Sequence, residues 1–201
     1  MRQFDSQATS LKTKDEDDKD LNLVDRHLIE GRIILCTGPV TDKMFKDVLS
    51  RLMVMEHQAA NEPVTVFINS PGGSADSGFA IYDILRFASP PVRTVVNGLC
   101  ASAGILIHLA GDEGNRFCLP ESRFMIHQPS TAGEGTASDL DITAREVVKL
   151  RKRYNQVIAD CTGKDAERVT EDSHRDFWLN AVEAKDYGLV TRVVASRADL
   201  D

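Results

Sequence analysis

The stretch VRTVVNGLCASAGILIHLA, residues 92–110, places one serine between a strand-like segment and an apolar helix candidate. The segment at its start is rich in valine, which favours strands, and Ile105–Ala110 is an apolar run suited to a buried helix. Ser102 stands at the junction, among residues with almost no side chain. Small residues let a helix pack closely on a sheet, whereas a serine at such a turn can present its hydroxyl beside backbone N–H groups. Both interpretations are open at this point, because Cys100 replaces the first glycine of the nucleophile pattern G-x-S-x-G.

Strand and helix patterns alternate along the rest of the chain, which predicts an α/β fold. A length of 201 residues suits one domain, residues 21–201, after a flexible polar tail of residues 1–20. Thr41 is expected to cap a helix, and Asn180 to open the last helix with a capping box. The other expected helices are 75–87 and 138–161, and the expected strands are 32–35, 64–68, 92–96, 116–119, 122–126 and 189–194.

Two of these helices show an apolar stripe. The helix after Thr41 is predicted to bury Phe45, Val48, Leu49, Leu52 and Met53. The helix from Ser138 would run ~35 Å at 1.5 Å per residue, which is longer than a compact domain of this size needs. We therefore expect it to project towards a partner. Its stripe consists of Leu140, Ala144, Val147, Val148, Tyr154, Ile158 and Cys161.

Composition excludes several classes of function. A net charge of −7 argues against binding to nucleic acid, which needs basic patches. The sequence contains no run of 18 apolar residues and no apolar N-terminal segment, so we expect neither a membrane span nor a secretory signal. The four cysteines have no metal-ligand spacing and are interpreted as small apolar filler in a reducing cytosol. These features predict a cytoplasmic protein.

Nucleotide-binding motifs are missing too. Gly163-Lys164 lacks the glycine that a P-loop carries five positions earlier, and no G-x-G-x-x-G follows a strand. ATP and dinucleotides are therefore not expected as ligands of this chain.

The turn SPGGS, residues 70–74, follows a predicted strand and opens a predicted helix. Two glycines free the backbone for positive φ and expose N–H groups that can hold an anion or the oxyanion of acyl transfer. A plain tight turn is the alternative. Ser74 and Ser77 rival Ser102 as nucleophiles, although helix capping explains them as well.

A serine nucleophile needs a base and a group that orients the base. Of the five histidines, His127 differs from the others because it ends the apolar strand of RFMIHQP, and a strand end commonly carries catalytic groups. His108 is interpreted as a satisfied core histidine. His27, His57 and His174 lie in polar segments. Spacing alone cannot choose the acid.

The motifs FINSPGGS, GLCASAG, RFCLPESRFMIHQP and HRDFWLNAVEAKDYGLV occur in this order, and with them the chain resembles the ClpP family over residues 31–195. That family consists of the proteolytic subunits of ATP-dependent Clp (caseinolytic) proteases. The resemblance implies a crotonase-like stack of β/α turns and two stacked heptameric rings around a closed chamber, a tetradecamer. The helix from Ser138 and the loop with Gly133 and Gly135 match the handle that joins the rings.

The resemblance also implies site residues. Ser102 corresponds to the nucleophile, His127 to the general base and Asp176 to the acid that orients it. The N–H groups of Gly73 and Ala103 correspond to the oxyanion hole, and Gly72, Gly73 and Pro129 to residues that bind the substrate backbone. The resemblance implies no metal and no cofactor, because ATP is used by a partner, an AAA+ unfoldase of the ClpX/ClpA/ClpC type.

The chain departs from the family pattern in several places. The segment before Gly31 does not match the usual N-terminal loops, and Ala103 stands where methionine is common. Thr65 and Phe67 occupy the expected unfoldase-docking surface, which usually carries two aromatics. Two alternatives to an active peptidase stay open: a largely structural ring subunit paired with an active sister ClpP, and a crotonase-type acyl-CoA enzyme.

Overall fold

The computed structural model of this chain describes residues 23–130 and 134–200. The predicted tail of residues 1–20 and Gly133 of the predicted handle loop lie outside the described residues.

Helices and strands alternate through most of the described ranges, as predicted. The helices are α1 (23–30), α2 (Asp42–Gln58), α3 (Ala75–Phe87), α4 (Ala103–Leu109), α5 (Ala137–Thr162), α6 (Ala166–Asp172) and α7 (Ala181–Tyr187). The strands are β1 (Ile33–Thr37), β2 (Val64–Ser70), β3 (Val92–Ala101), β4 (Arg116–Cys118), β5 (Arg123–Ile126), β6 (Phe177–Asn180) and β7 (Arg192–Val193).

The strands form one sheet that branches at β3. Its main path has the order β1-β2-β3-β4-β7, and all of these pairs are parallel. The first part of β3 pairs with β4 through Thr94–Val96, and its last three residues pair with β5 instead. β6 then adds to β5 in the antiparallel sense. β3 can serve both partners because it has ten residues, and its last part starts the separate branch formed by β5 and β6.

The core lies between this sheet and the helices. All seven residues of α4 are buried, since this short apolar helix lies inside the protein. α2 and α3 each bury one face, and α5 buries only its second half, through Tyr154, Asn155, Ile158 and Ala159. Among the helices in the described ranges, none is long and apolar enough to cross a membrane.

The helix caps match the sequence expectations. Thr41 accepts a hydrogen bond from the Met44 N–H, and Asn180 and Glu183 form a capping box at the start of α7. α3 spans the predicted residues, with Ser74 as its N-cap. Capping can be predicted because it depends only on residues within one helical turn.

Long-range details differ from the expectations. The buried face of α2 contains Met44, Val48, Leu52 and Met55, so the predicted positions Phe45, Leu49 and Met53 lie at its side. One residue is a rotation of about 100° on a helix, and the apolar run permitted both faces. β3 extends to Ala101, beyond the predicted end at Val96, because β5 supplies a second pairing partner. The predicted last strand 189–194 shortens to β7.

Arg32 also differs from its expectation, because it precedes β1 instead of belonging to it. It has a φ of 54°, and its guanidinium donates to the carbonyl oxygens of Met55, Ala59, Glu62 and Pro63. These bonds tie the end of α2 and the turn after it to the start of β1. The Met55 and Ala59 carbonyls also accept from the Ala59 and Glu62 N–H groups, so Arg32 gives each of them a second donor.

His108 is a core histidine, as predicted, but among the described residues only one of its two ring nitrogens has a hydrogen-bond partner. It is fully buried in α4, and its Nε2 lies 3.1 Å from the Leu189 carbonyl oxygen. A carbonyl oxygen can only accept, so the neutral ring carries its proton on Nε2. Burial, with a smaller contribution from the positive charge of Arg116, lowers the pKa of His108 to about 3.

This burial predicts a loss of stability in acid. Because the pKa of His108 is lower in the folded than in the unfolded chain, the stabilisation is complete above about pH 6.5 and is lost as the pH falls towards 3. We expect His108 to account for about 2 kcal/mol of the fall in unfolding free energy between pH 7 and pH 5. The His108→Gln variant should show a correspondingly weaker pH dependence in urea unfolding at fixed protein concentration. His57→Gln, at an exposed position, controls for the loss of an imidazole as such. Equal pH dependence in wild type and His108→Gln would contradict the assignment.

Candidate active site

Ser102 occupies the turn between β3 and α4 in a backbone conformation that is rare for a residue with a side chain. Its φ is 54° and its ψ is −123°, a region that costs about 1–3 kcal/mol when the surrounding structure must enforce it. The Ser102 N–H donates to the Met125 carbonyl over 2.9 Å, and the Ser102 carbonyl accepts from the Ile105 N–H over 2.9 Å. These bonds tie the turn to β5 on one side and to α4 on the other. The junction combines close packing, since Gly104 lies against Ser70, with a turn that presents the Ser102 side chain.

His127 reaches Ser102 because of the strand register. In the parallel pair of β3 and β5, Ala101 is opposite Met125, so Ser102 and His127 both lie just past the end of this pairing. His127 Nε2 lies 2.9 Å from Ser102 Oγ. At this distance the serine hydroxyl can donate its proton to a neutral imidazole.

Asp176 comes to the same place through β6. In the antiparallel pair of β5 and β6, Ile126 is opposite Phe177, which places His127 and Asp176 next to paired residues. Asp176 Oδ1 lies 3.3 Å from His127 Nδ1. A carboxylate there orients the ring and stabilises the imidazolium that forms during proton transfer. The three predicted residues therefore meet in the order serine, histidine, aspartate.

Exposure differs within this set. The His127 side chain is 26% exposed, whereas the Asp176 side chain is 62% exposed. The loop that carries Asp176 is held by Gln128, whose N–H donates to the Ser173 carbonyl and whose Nε2 donates to the His174 carbonyl. The position of an exposed carboxylate thus depends on backbone contacts of its loop.

The glycine turn lies directly against Ser102. Gly72 and Gly73 have φ values of 90° and 150°, which side chains rarely adopt. The Val40 N–H donates to the Gly72 carbonyl, and the Val40 carbonyl accepts from the Ser74 N–H, each over 2.9 Å. A methyl group at Gly72 would lie 2.6 Å from Ser102 Cβ. Only glycine permits this close approach of the two backbones.

Two backbone donors stay free at this contact. Within the described ranges, neither the Gly73 N–H nor the Ala103 N–H donates to another group of the protein. Free N–H groups beside a nucleophile are the donors that an oxyanion requires. The two residues predicted for the oxyanion hole therefore have the required property.

A cavity of about 450 Å³ opens beside these groups. Gly73 and Pro129, two of the predicted substrate-binding residues, line it, and Gly72 supports the turn behind Ser102. Its apolar wall comes from two helices, α4 and α5, and from strand β5. The wall consists of Leu106, Met125, Val147, Leu150 and Tyr154.

The rival serines have structural roles. Ser74 Oγ accepts from the Ser77 N–H, which caps α3, and the buried Ser77 hydroxyl donates to Asp42 over 2.6 Å. Among the described residues, neither serine hydroxyl is bonded to a histidine. His127 contacts Ser102 instead. His27, His57 and His174 are exposed, as predicted.

Two polar residues at the site were not predicted. Tyr154 was expected only as part of the apolar stripe of α5, yet its hydroxyl donates to the Ser102 carbonyl oxygen over 3.1 Å. Gln128 was given no role at the site, yet its contacts hold the loop that carries Asp176. A tyrosine inside an otherwise aliphatic stripe was the available signal, because a buried phenol needs a partner for its hydroxyl.

The described residues contain no candidate metal site. Across 23–130 and 134–200, His, Cys, Asp and Glu side chains form no cluster of three that could hold a metal ion. Cys36, Cys100 and Cys118 are buried free thiols, and Cys161 is half-buried. That the chain uses no metal or cofactor stays a prediction.

Comparison with known proteins identifies what this chain is similar to. The family described as Clp protease matches residues 15–197. ATP-dependent Clp protease proteolytic subunit 3 of Rhizobium etli is 40% identical over 195 residues, which cover 94% of this chain and 100% of that protein. ATP-dependent Clp protease proteolytic subunit 2 of Pseudomonas aeruginosa is 40% identical over 194 residues, covering 92% and 96% respectively.

The fold has a close counterpart among solved structures. A mutant of ClpP1 from Listeria monocytogenes superposes with a TM-score of 0.83 at 40% identity, covering 89% of this chain and 99% of that one. The predicted α/β fold of the ClpP type, with its crotonase-like stack, is therefore confirmed.

The contact between the two turns generates a steric prediction. Gly72→Ala would place a methyl group 2.6 Å from Ser102 Cβ and 2.8 Å from the Ala101 carbonyl oxygen, so the serine must move. Displacements of about 1 Å can cost 10²-fold in rate. We expect Gly72→Ala to slow the reaction of Ser102 with a fluorophosphonate by about 100-fold, measured as the labelling rate.

Gly114→Ala is the matched control. Its φ of 87° resembles the 90° of Gly72, but no atom lies within 4 Å of the added methyl group. It carries the same backbone strain without the clash. Equal labelling rates in the two variants would show that the close approach is not needed.

Proposed function

This chain belongs to the Clp protease family as a proteolytic subunit with serine peptidase activity, and we propose that Ser102, His127 and Asp176 carry its reaction. The observation that carries the proposal is the distance of 2.9 Å from Ser102 Oγ to His127 Nε2, with Asp176 on the other ring nitrogen. Acyl transfer by a serine uses a nucleophile, a base and an acid that orients the base, and here the three groups are in contact in that order.

The first half of the reaction forms an acyl-enzyme. His127 Nε2 takes the proton of Ser102 as Oγ attacks the carbonyl carbon of the peptide bond. The negative charge that develops on the carbonyl oxygen is held by the N–H groups of Gly73 and Ala103. The imidazolium then gives its proton to the leaving amine, and the C–N bond breaks.

The second half releases the product. Water takes the place of the amine, His127 accepts its proton, and the hydroxide attacks the acyl carbon. The tetrahedral intermediate uses the same two N–H groups, and Ser102 leaves as it regains its proton from His127. Asp176 stabilises the imidazolium in both halves. It also keeps the neutral ring in the tautomer that has its proton on Nδ1, so that the Nε2 lone pair can accept a proton.

The cavity suggests how a substrate lies. An extended peptide can pair its backbone with the Gly72–Gly73 turn and the Pro129 region, in the manner of an added strand. Its side chain next to the cleaved bond then enters the cavity with the apolar wall formed by Leu106, Met125 and the α5 residues. Unfolded chains adopt this extended form readily over several residues, and unfolded proteins are the substrates we propose.

Family membership implies assembly with other subunits and partnership with a Clp ATPase. We propose two stacked heptameric rings, homomeric or mixed with a sister ClpP, and an AAA+ unfoldase of the ClpX/ClpA/ClpC type, in the cytoplasm. The first half of α5 supports the assembly, since it carries the exposed apolar residues Leu140, Ile142 and Val148. Exposed apolar side chains concentrated on one segment of a helix are typical of an interaction surface.

The contacts among Ser102, His127 and Asp176 argue against a purely structural subunit. A subunit that only completes a ring needs neither the strained turn at Ser102 nor two free N–H groups beside it. A crotonase-type acyl-CoA enzyme would not need this serine, histidine and aspartate set.

Replacing the nucleophile tests the assignment. We expect Ser102→Ala to lower hydrolysis of a fluorogenic peptide by at least about 10⁴-fold and to abolish fluorophosphonate labelling, because no other group can take its place. Particle size, measured by native mass spectrometry, should not change. Ser74→Ala, which removes a rival serine, should still be labelled. Labelling that persists in Ser102→Ala would reject Ser102 as the nucleophile.

Replacing the acid tests the role of the exposed carboxylate. Asp176→Asn keeps the side-chain shape but removes the charge that stabilises the imidazolium and selects its tautomer, so we expect kcat to fall by about 10³- to 10⁴-fold. Asp172→Asn on the preceding helix removes a neighbouring carboxylate that bonds to Arg168 and Tyr187, and it serves as the charge control. Similar losses in both variants would indicate a general electrostatic or folding effect.

A further inference from the structure

Tyr154 connects α5 to the backbone of the nucleophile. Its hydroxyl donates to the Ser102 carbonyl oxygen over 3.1 Å, although the two residues lie 52 positions apart. The side chain is 4% exposed, and its ring lines the cavity beside Ser102. Burial, with smaller contributions from Cys100 and Tyr187, raises the pKa of Tyr154 well above its ordinary value. The hydroxyl is therefore a permanent donor at neutral pH.

The Ser102 carbonyl belongs to the same peptide unit as the Ala103 N–H. This unit is planar, and the described residues contain no cis peptide bond, so C=O and N–H point in opposite directions. A contact that fixes the direction of the carbonyl oxygen fixes the direction of the N–H as well. The Ile105 N–H donates to the same oxygen over 2.9 Å, which gives the carbonyl two donors. Hydrogen bonds to a carbonyl also polarise the amide and make its N–H a stronger donor.

This peptide unit needs support from outside. Ser102 has a φ of 54° and a ψ of −123°, and rotation about ψ of Ser102 and φ of Ala103 would relieve the strain. Such a rotation would turn the Ala103 N–H away from the cavity. Ile105 lies in the same helical turn and moves with it, whereas Tyr154 belongs to a different helix and supplies a fixed external point.

We propose that Tyr154 is a positioning residue for the oxyanion hole, acting through the Ser102–Ala103 peptide unit. The inference rests on the proposed function, because it assumes that the Ala103 N–H binds the oxyanion. The oxyanion exists only in the transition state and the intermediates, so support for its donor affects the chemical step and not the binding of substrate.

Tyr154→Phe tests this role, because it removes one oxygen atom and keeps the ring in the cavity wall. We expect kcat for a fluorogenic peptide to fall about five- to tenfold with KM unchanged, the size of effect that one neutral hydrogen bond gives. Labelling by a fluorophosphonate should slow by a similar factor, since its phosphoryl oxygen takes the same place. In a Ser102→Ala background, the Kd for the peptide should be the same with Tyr154 and with the Tyr154→Phe substitution.

Tyr82→Phe is the matched control. Tyr82 on α3 is partly buried and its hydroxyl interacts with Cys161, away from the residues that line the cavity. It should retain the wild-type kcat and labelling rate. Native mass spectrometry and thermal unfolding of each variant show whether assembly and stability are preserved.

The outcomes are distinct. An unchanged kcat in Tyr154→Phe would overturn the positioning role and leave the Ser102, His127 and Asp176 assignment intact. A rise in KM at constant kcat would overturn it in favour of a role as cavity wall, and smaller particles would overturn it in favour of a role in assembly. Residual labelling in Ser102→Ala would instead reject the proposed function itself.

Discussion

The parallel pairing of β5 with the end of β3 is the constraint on which the active site depends. It places Ala101 opposite Met125, and so brings Ser102 and His127 together from distant parts of the chain. The antiparallel pairing of β6 extends the same logic to Asp176 through Ile126 and Phe177. A slip of one residue in either pair would turn one of the three proposed catalytic side chains to the other face of the sheet. The strand register therefore determines the geometry of the proposed site.

The second requirement is that two backbone donors stay unused. In a regular strand or helix interior, nearly every N–H group has a backbone partner. Among the residues that the structure describes, the Gly73 N–H has no partner because Val40 bonds to the residues on either side of it, and the Ala103 N–H has none because it opens a helix. The strain at Ser102 is part of the same arrangement. It is tolerated because α4, directly after it, is completely buried and held by packing on all sides.

Sequence reasoning succeeded where structure depends on near neighbours. The caps at Thr41, Ser74 and Asn180, the bounds of α3 and the strand end at His127 all follow from a few consecutive residues. It could not choose Asp176 by spacing, because that choice depends on the pairing of β5 with β6, and only the family resemblance singled it out. The face of α2 and the end of β3 were missed for the same reason, since the packing partner decides both. The partner of the Tyr154 hydroxyl lies 52 residues away and leaves no local trace.

The two halves of α5 differ in their exposure to solvent. Its first half is largely solvent-exposed and carries apolar side chains, whereas Tyr154 in its second half is bonded to the nucleophile turn. A helix is stiff along its axis because each turn is bonded to the next. A partner that binds the exposed half acts on the same rigid element that holds the Ser102 carbonyl. Its effect on the proposed oxyanion hole can only be as large as its preference for the helix position in which the bond from Tyr154 is made. The described contacts thus give a physical route by which assembly can bias the chemical step, without any change in the serine, histidine and aspartate themselves.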